Sequence, residues 1–290
     1  MGDLYLGARL DLLRAAQNPD GGWGYFPGKQ SWLEPTAYAA MALHGERAAD
    51  RAWTLLSSWQ GRDGSWRPSA DVQIPHWDTA LCVTLATARG DLGAPFRKGV
   101  GWLLGSSGME TDFWHRAAAR TGLLDGERDL SLKAWPWKPG TASWVEPTAH
   151  TLVALKKASA QFSSHDLTER VRLGEAQLLD VRCRDAGWNY GSRAALGVDL
   201  PSYPETTALA LLGLQGHSNL ENSLELAGRM ARDTKSPLAR AWFTIALRLH
   251  GGDAPAPLDN APSSDLLVTA LEALGSPYGN YHFFKTGGPA

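Results

Sequence analysis

Four acidic residues of this 290-residue chain stand in a setting suited to holding positive charge. Glu34, Glu146 and Glu205 each have an aromatic residue two positions earlier, Trp32, Trp144 and Tyr203, and Asp78 follows Trp77 directly. Each lies where a largely apolar run begins. A carboxylate beside an aromatic ring stabilises a cation through its charge and through the negative face of the ring. The pairing therefore suits a cationic ligand or a transient carbocation. His76 and His150 fall at two of the same starts. The candidate acids or cation stabilisers are Glu34, Asp78, Glu146 and Glu205; the candidate ligand contacts are Trp32, His76, Trp77, Trp144, His150 and Tyr203. A second reading fits the same residues: each acid satisfies free amides in a first helical turn and each aromatic seals a seam between neighbouring helices. Both readings predict that the pairing repeats.

The elements that must position these residues are themselves repeated. Gln17-Asn18-Pro19-Asp20-Gly21-Gly22-Trp23 recurs as Gln60-Gly61-Arg62-Asp63-Gly64-Ser65-Trp66. The first copy leads into Glu34-Pro35-Thr36-Ala37 and the second into Asp78-Thr79-Ala80; the same start returns as Glu146-Pro147-Thr148-Ala149 and, more loosely, Glu205-Thr206-Thr207-Ala208. Self-similarity at a few tens of residues means one supersecondary unit stacked on copies of itself. Helices before the Gly-Trp turn carry charge on one face, and those after it are apolar almost all round, so charged helices lie outside and apolar ones inside. This predicts an all-α fold, an α/α toroid of five to six helical hairpins forming one unit over residues 1–290. Outer helices are expected near 3–16, 48–60, 95–106, 166–180 and 219–231, and inner ones near 35–45, 77–89, 147–159, 205–216, 238–250 and 265–274. Residues 112–124 read as a further helix inside a 107–146 insert, and 251–262 as a plain loop. The aromatic stretch from Tyr278 to Phe284 is too apolar for a free tail and is expected to pack back on the ring.

Composition narrows the function classes. The net charge is −2, with no run of Lys or Arg, which argues against a nucleic-acid partner. No stretch is long enough to span a bilayer, and the chain reads as soluble and cytoplasmic, with no transmembrane segment. The 2 cysteines, Cys82 and Cys183, are far apart and read as buried thiols, so neither a disulfide framework nor a metal site is expected, nor any cofactor. Most of the 13 tryptophans occupy equivalent places in successive units and read as wedges between helix pairs.

Arg51-Ala52-Trp53-Thr54-Leu55-Leu56-Ser57-Ser58-Trp59-Gln60, running on to Asp63-Gly64-Ser65-Trp66, resembles the Gln-Trp repeat of squalene-hopene and oxidosqualene cyclases. Leu12-Leu13 through Trp23 is a second copy, and Val171 to Trp188 a degenerate third. The resemblance implies the prenyltransferase and squalene cyclase toroid superfamily, with an apolar, isoprenoid small molecule bound in a central cavity and terpenoid cyclase-like or prenyl-handling chemistry. Cyclases of this kind use an Asp-x-Asp-Asp cluster just before Thr-Ala as proton donor. Each equivalent position here has a single acid, and an isolated exposed carboxylate stays ionised at neutral pH. The Asp-x-Cys zinc pair of the prenyltransferases is absent. Two other classes remain open: a non-catalytic scaffold for a lipid or protein partner, and a glycan-active α/α barrel using paired carboxylates and tryptophan platforms.

Overall fold

The computed structural model describes residues 2–111, 129, 131–162, 164–195 and 198–287, and the helix expected at 112–124 lies outside them. Among the described residues the helices are α1 (Gly2–Ala16), α2 (Leu33–Ala42), α3 (Arg47–Ser58), α4 (Thr79–Arg89), α5 (Ala94–Gly105), α6 (Val145–Ser159), α7 (His165–Asp180), α8 (Pro204–Gly213), α9 (Glu221–Asp233), α10 (Pro237–Leu249) and α11 (Leu266–Gly275). Short 3-10 turns at Met109–Thr111 and Tyr281–Phe284, and a two-stranded ribbon pairing Ala194–Ala195 with Val198–Asp199, complete them.

The helices form an α/α toroid. Each inner helix packs on the next, α2 on α4, α4 on α6, α6 on α8, α8 on α10 and α10 on α11, and α11 returns to α2. Outside them, α3 packs on α2, α5 on α4, α7 on α6, α9 on α8 and α1 on α11. Six inner helices and five outer ones are therefore described. The loop Gly251–Pro262, expected from its Pro, Ala and Asp content, stands where a sixth outer helix would lie. The inner helices are buried along nearly every residue of α2, α4, α6, α8 and α11. That is the burial a helix with no polar face requires.

The repeated tryptophan joins the rings. The indole Nε1 of Trp23, Trp66 and Trp188 donates to the carbonyl oxygens of Leu13, Leu56 and Leu178, near the ends of α1, α3 and α7. The backbone N–H of each donates to a threonine in the first turn of the following inner helix, Thr36, Thr79 and Thr207. Trp135, which carries no Gln-Asp-Gly signature, makes the same pair of bonds to Leu103 and Thr148. Gln17 and Gln60 extend the joint sideways, donating to Ala48 and Pro95 at the starts of the next outer helices. Gly21 is needed in its turn: φ is +97°, and a Cβ there would sit 3.0 Å from the Arg51 carbonyl oxygen. The degenerate third copy places Ala186 at this point with φ 72, a conformation that L-residues adopt reluctantly.

The two ends of the ring differ. At the end where the inner helices begin, backbone bonds run from loop to loop: Leu33 to Pro68, Trp77 to Trp137, Val145 to Tyr190, and Leu266 to Tyr25. At the other end the chain after α11 folds across. Asn280 donates to Met41 and Ala42, Gln215 to the Phe284 carbonyl, and Lys157 to the Lys285 carbonyl. Phe283 and Phe284 are buried, so the aromatic stretch does pack on the ring, although Tyr278 stays 68% exposed.

Candidate functional site

The loop-to-loop end forms the mouth, and Glu34, Asp78, Glu146 and Glu205 all stand there. Glu34, Glu146 and Glu205 occupy the second helical position of α2, α6 and α8, two residues before the threonine that receives the tryptophan bond. Asp78 precedes its threonine by one and takes the N-cap of α4, but its side chain makes no capping bond. Neither Glu34 nor Glu146 accepts a first-turn amide among the described residues, so capping does not account for these acids.

Three of the four share one electrostatic environment. Burial, then the charge of Asp78, raises the Glu34 carboxyl to about 8, while a hydrogen bond from Tyr25 offsets part of the rise. That bond, from Tyr25 Oη to Glu34 Oε2, is 2.7 Å long. Burial, then Glu34 and Asp78, holds Glu146 well above the ordinary carboxylate range. Both glutamates keep partial solvent contact as residues, so their carboxyls are surrounded yet reachable from the mouth. Asp78 is buried, and His76 Nδ1 lies 3.1 Å from its Oδ2. The angle falls outside good hydrogen-bond geometry, so the contact is chiefly electrostatic. Glu205 stands apart, accepting a bond from Ser236 Oγ at the start of α10. The isolation expected of each acid is thus removed by folding, which brings carboxyls from three helices together and raises the proton affinity of Glu34 and Glu146.

The aromatic candidates divide by depth. Trp144 and Tyr203 are 37% and 42% exposed on the rim and are linked through Tyr190, whose ring lies 6.2 Å from Trp144 and 5.4 Å from Tyr203. Trp32 is half-buried, 6.4 Å from the Tyr25 ring. Trp77 and His150 lie deeper, with ring centroids 5.1 Å apart. Burial pushes His150 down to about 3, so it is a neutral imidazole. Its Nε2 meets Tyr38 Oη at 3.3 Å.

The central cavity expected from the sequence is filled at this level. Trp242 of α10 lies 5.6 Å from Tyr38 of α2, 5.3 Å from His150 of α6 and 6.0 Å from Phe284. Side chains from alternate inner helices therefore meet across the axis, leaving the acids above an aromatic floor. Sequence reasoning missed Tyr25, Tyr38, Trp137, Trp242 and Phe284. One signal was present: Tyr38 and His150 each lie four residues after an acid, one helical turn deeper on the same face. Among the described residues no group of three His, Cys, Asp or Glu side chains is arranged to hold a metal, and Cys82 and Cys183 are buried free thiols.

The α/α toroid is a fold found also in terpene cyclases and in an α-amylase. No family model and no curated protein matches the sequence. Among solved structures, the chain is similar to the type II terpene cyclase MstE from Scytonema, with a TM-score of 0.54 at 16% identity over 95% of this chain and 79% of that one. A variant of that cyclase holding its substrate, geranylgeranyl dihydroxybenzoate, matches with a TM-score of 0.53 at 17% identity, over 93% and 76% of the two chains. An α-amylase from Clostridium perfringens matches with a TM-score of 0.62 at 10% identity, over 94% and 97%.

Proposed function

We propose that the mouth binds an apolar, isoprenoid-type molecule and acts on it as a general acid, as a divergent terpenoid cyclase would. The observation that carries this reading is the Glu34 carboxyl raised to about 8 beside two further acids and above an aromatic floor. A carboxylic acid kept neutral at pH 7 can donate its proton to an alkene. The alkene π pair forms the new C–H bond and leaves a carbocation, which the exposed ring faces and the remaining carboxylate stabilise. Loss of a proton to Asp78, with His76 beside it, returns a neutral alkene. The filled lumen limits the reaction to the end of the molecule that reaches the mouth. The Scytonema cyclase, whose substrate is a geranylgeranyl compound, supports the class of ligand through a shared fold.

The test is incubation with farnesol and geranylgeraniol in deuterated water, followed by mass spectrometry. Deuterium is expected at carbon in the product or recovered alcohol, and Glu34→Gln and Glu146→Gln should each reduce it by at least about a hundredfold. No incorporation with the wild-type protein would sink the proposal.

A glycan-active toroid is the second reading. The exposed Trp144, Tyr190 and Tyr203 rings offer a stacking platform, several carboxyls lie in one mouth, and the α-amylase shares the fold over 97% of its length. Release of reducing ends from maltooligosaccharides, lost in Glu146→Gln, would favour it. Failure of both assays would leave a scaffold for a lipid or protein partner, for which a filled centre is the expected interior.

A further inference from the structure

A cavity lies on the outer side of α10 and α11, beneath the loop that stands in place of a sixth outer helix. Arginines fix that loop in place. Arg9, fully buried, donates to the carbonyl oxygens of Asp259, Asn260 and Ala261 and pairs with Glu272 at 2.7 Å. Arg240 donates to the Ala256 carbonyl through Nη1. Between loop and helices remains a volume of about 400 Å³. A space of this size falls in the range of small-molecule sites, and a loop held at Ala256 and again at Asp259, Asn260 and Ala261 keeps it preformed.

The chemistry of the lining is one-sided. Arg240, Thr244 and Arg248 form a stripe at four-residue spacing along α10, facing Ser276 at the end of α11, with Pro257 and Leu258 of the loop as an apolar wall. Ser276 Oγ and Arg240 Nε are both buried and find no hydrogen-bond partner among the described residues, Ser276 being only 3% exposed. Arg248 spends Nε on the Gly275 carbonyl. The acid in the lining, Glu272, is paired with Arg9. The charge in the lining left without a carboxylate partner among the described residues is therefore positive, on Arg240 and Arg248, and Tyr5 and Asn260 add neutral polar groups.

We propose that this cavity is a binding site for a small organic anion, a carboxylate or phosphate ester with an apolar body. Arg240 Nε, the Ser276 hydroxyl and the Arg248 guanidinium donate to the oxyanion, and the apolar body rests on Pro257 and Leu258. The site is independent of the mouth, none of whose acids lines it.

Calorimetric titration with 2-naphthoate and 2-naphthyl phosphate, with 2-naphthalenemethanol as neutral control, tests the proposal. At least one anion should bind saturably, and the alcohol at least about tenfold more weakly. Arg248→Met and Ser276→Ala should each weaken that anion about tenfold. Ser276→Ala separates binding from packing: removing an unpaired buried hydroxyl leaves the melting temperature unchanged or raises it, so a loss of affinity reports the ligand contact. Glu146→Gln should leave the titration unaltered. Absence of binding by both anions, equal binding of the alcohol, or insensitivity to either substitution would overturn the assignment.

Discussion

Glu34 gains proton affinity on folding, and that ties the mouth to pH. Its carboxyl is raised to about 8, first by burial and then by Asp78, against an unfolded value of 4.5. A carboxyl raised in the native state contributes stability that is full below the unfolded value and is lost as pH rises through the folded one. The melting temperature should therefore fall between about pH 5 and about pH 9, and Glu34→Gln, which cannot ionise, should flatten the fall. Glu146, raised by burial and by the same neighbours, should behave alike. An equal slope in wild type and both variants would show that these carboxyls ionise freely in the fold. The three acids were legible one by one, because each opens an inner helix at a repeated register. Their shared environment was not, since spacing along the chain says nothing of how three helices face one another. Trp242 and Phe284 carry no repeat signature, so the filled lumen was invisible for the same reason.

At the scale of the element, the joint between rings rests on one side chain per unit. Trp66 is fully buried and bonded at both of its nitrogens, to Leu56 and Thr79. Trp66→Ala should cost about 3–5 kcal/mol by urea denaturation. Thr79→Val, which leaves the Trp66 amide unpaired, should cost about 1–3 kcal/mol. Trp135→Ala should match Trp66→Ala if the two joints are equivalent; a cost near zero would show that Trp135 only resembles one. These joints lie at the helix ends, so anion binding beneath the Gly251–Pro262 loop should survive in all three variants. The helix order and most boundaries were legible, because a switch from one charged face to none identifies ring membership. Trp135 was not, since its flanking Ala134 and Pro136 share nothing with the Asp-Gly turns although its bonds are the same.

At the scale of the molecule, the segment after α11 closes one end of the ring while the mouth stays accessible. Phe284 is fully buried against Tyr38 and Trp242. Phe284→Ala should cost about 3–5 kcal/mol and open an apolar void on the axis, detectable as saturable binding of benzene or xenon. Stability within about 1 kcal/mol of wild type would show that the segment merely lies on the surface. The return of α11 onto α2 has a further consequence for how the protein comes apart. An open stack of repeats can fray from its last unit, because each unit leans only on its neighbours. A circle has no last unit: losing α11 bares the apolar flanks of α10 and α2 together, and no partial ring shelters either. Unfolding should therefore be concerted around the circumference, with calorimetric and van't Hoff enthalpies in agreement and no plateau in denaturant.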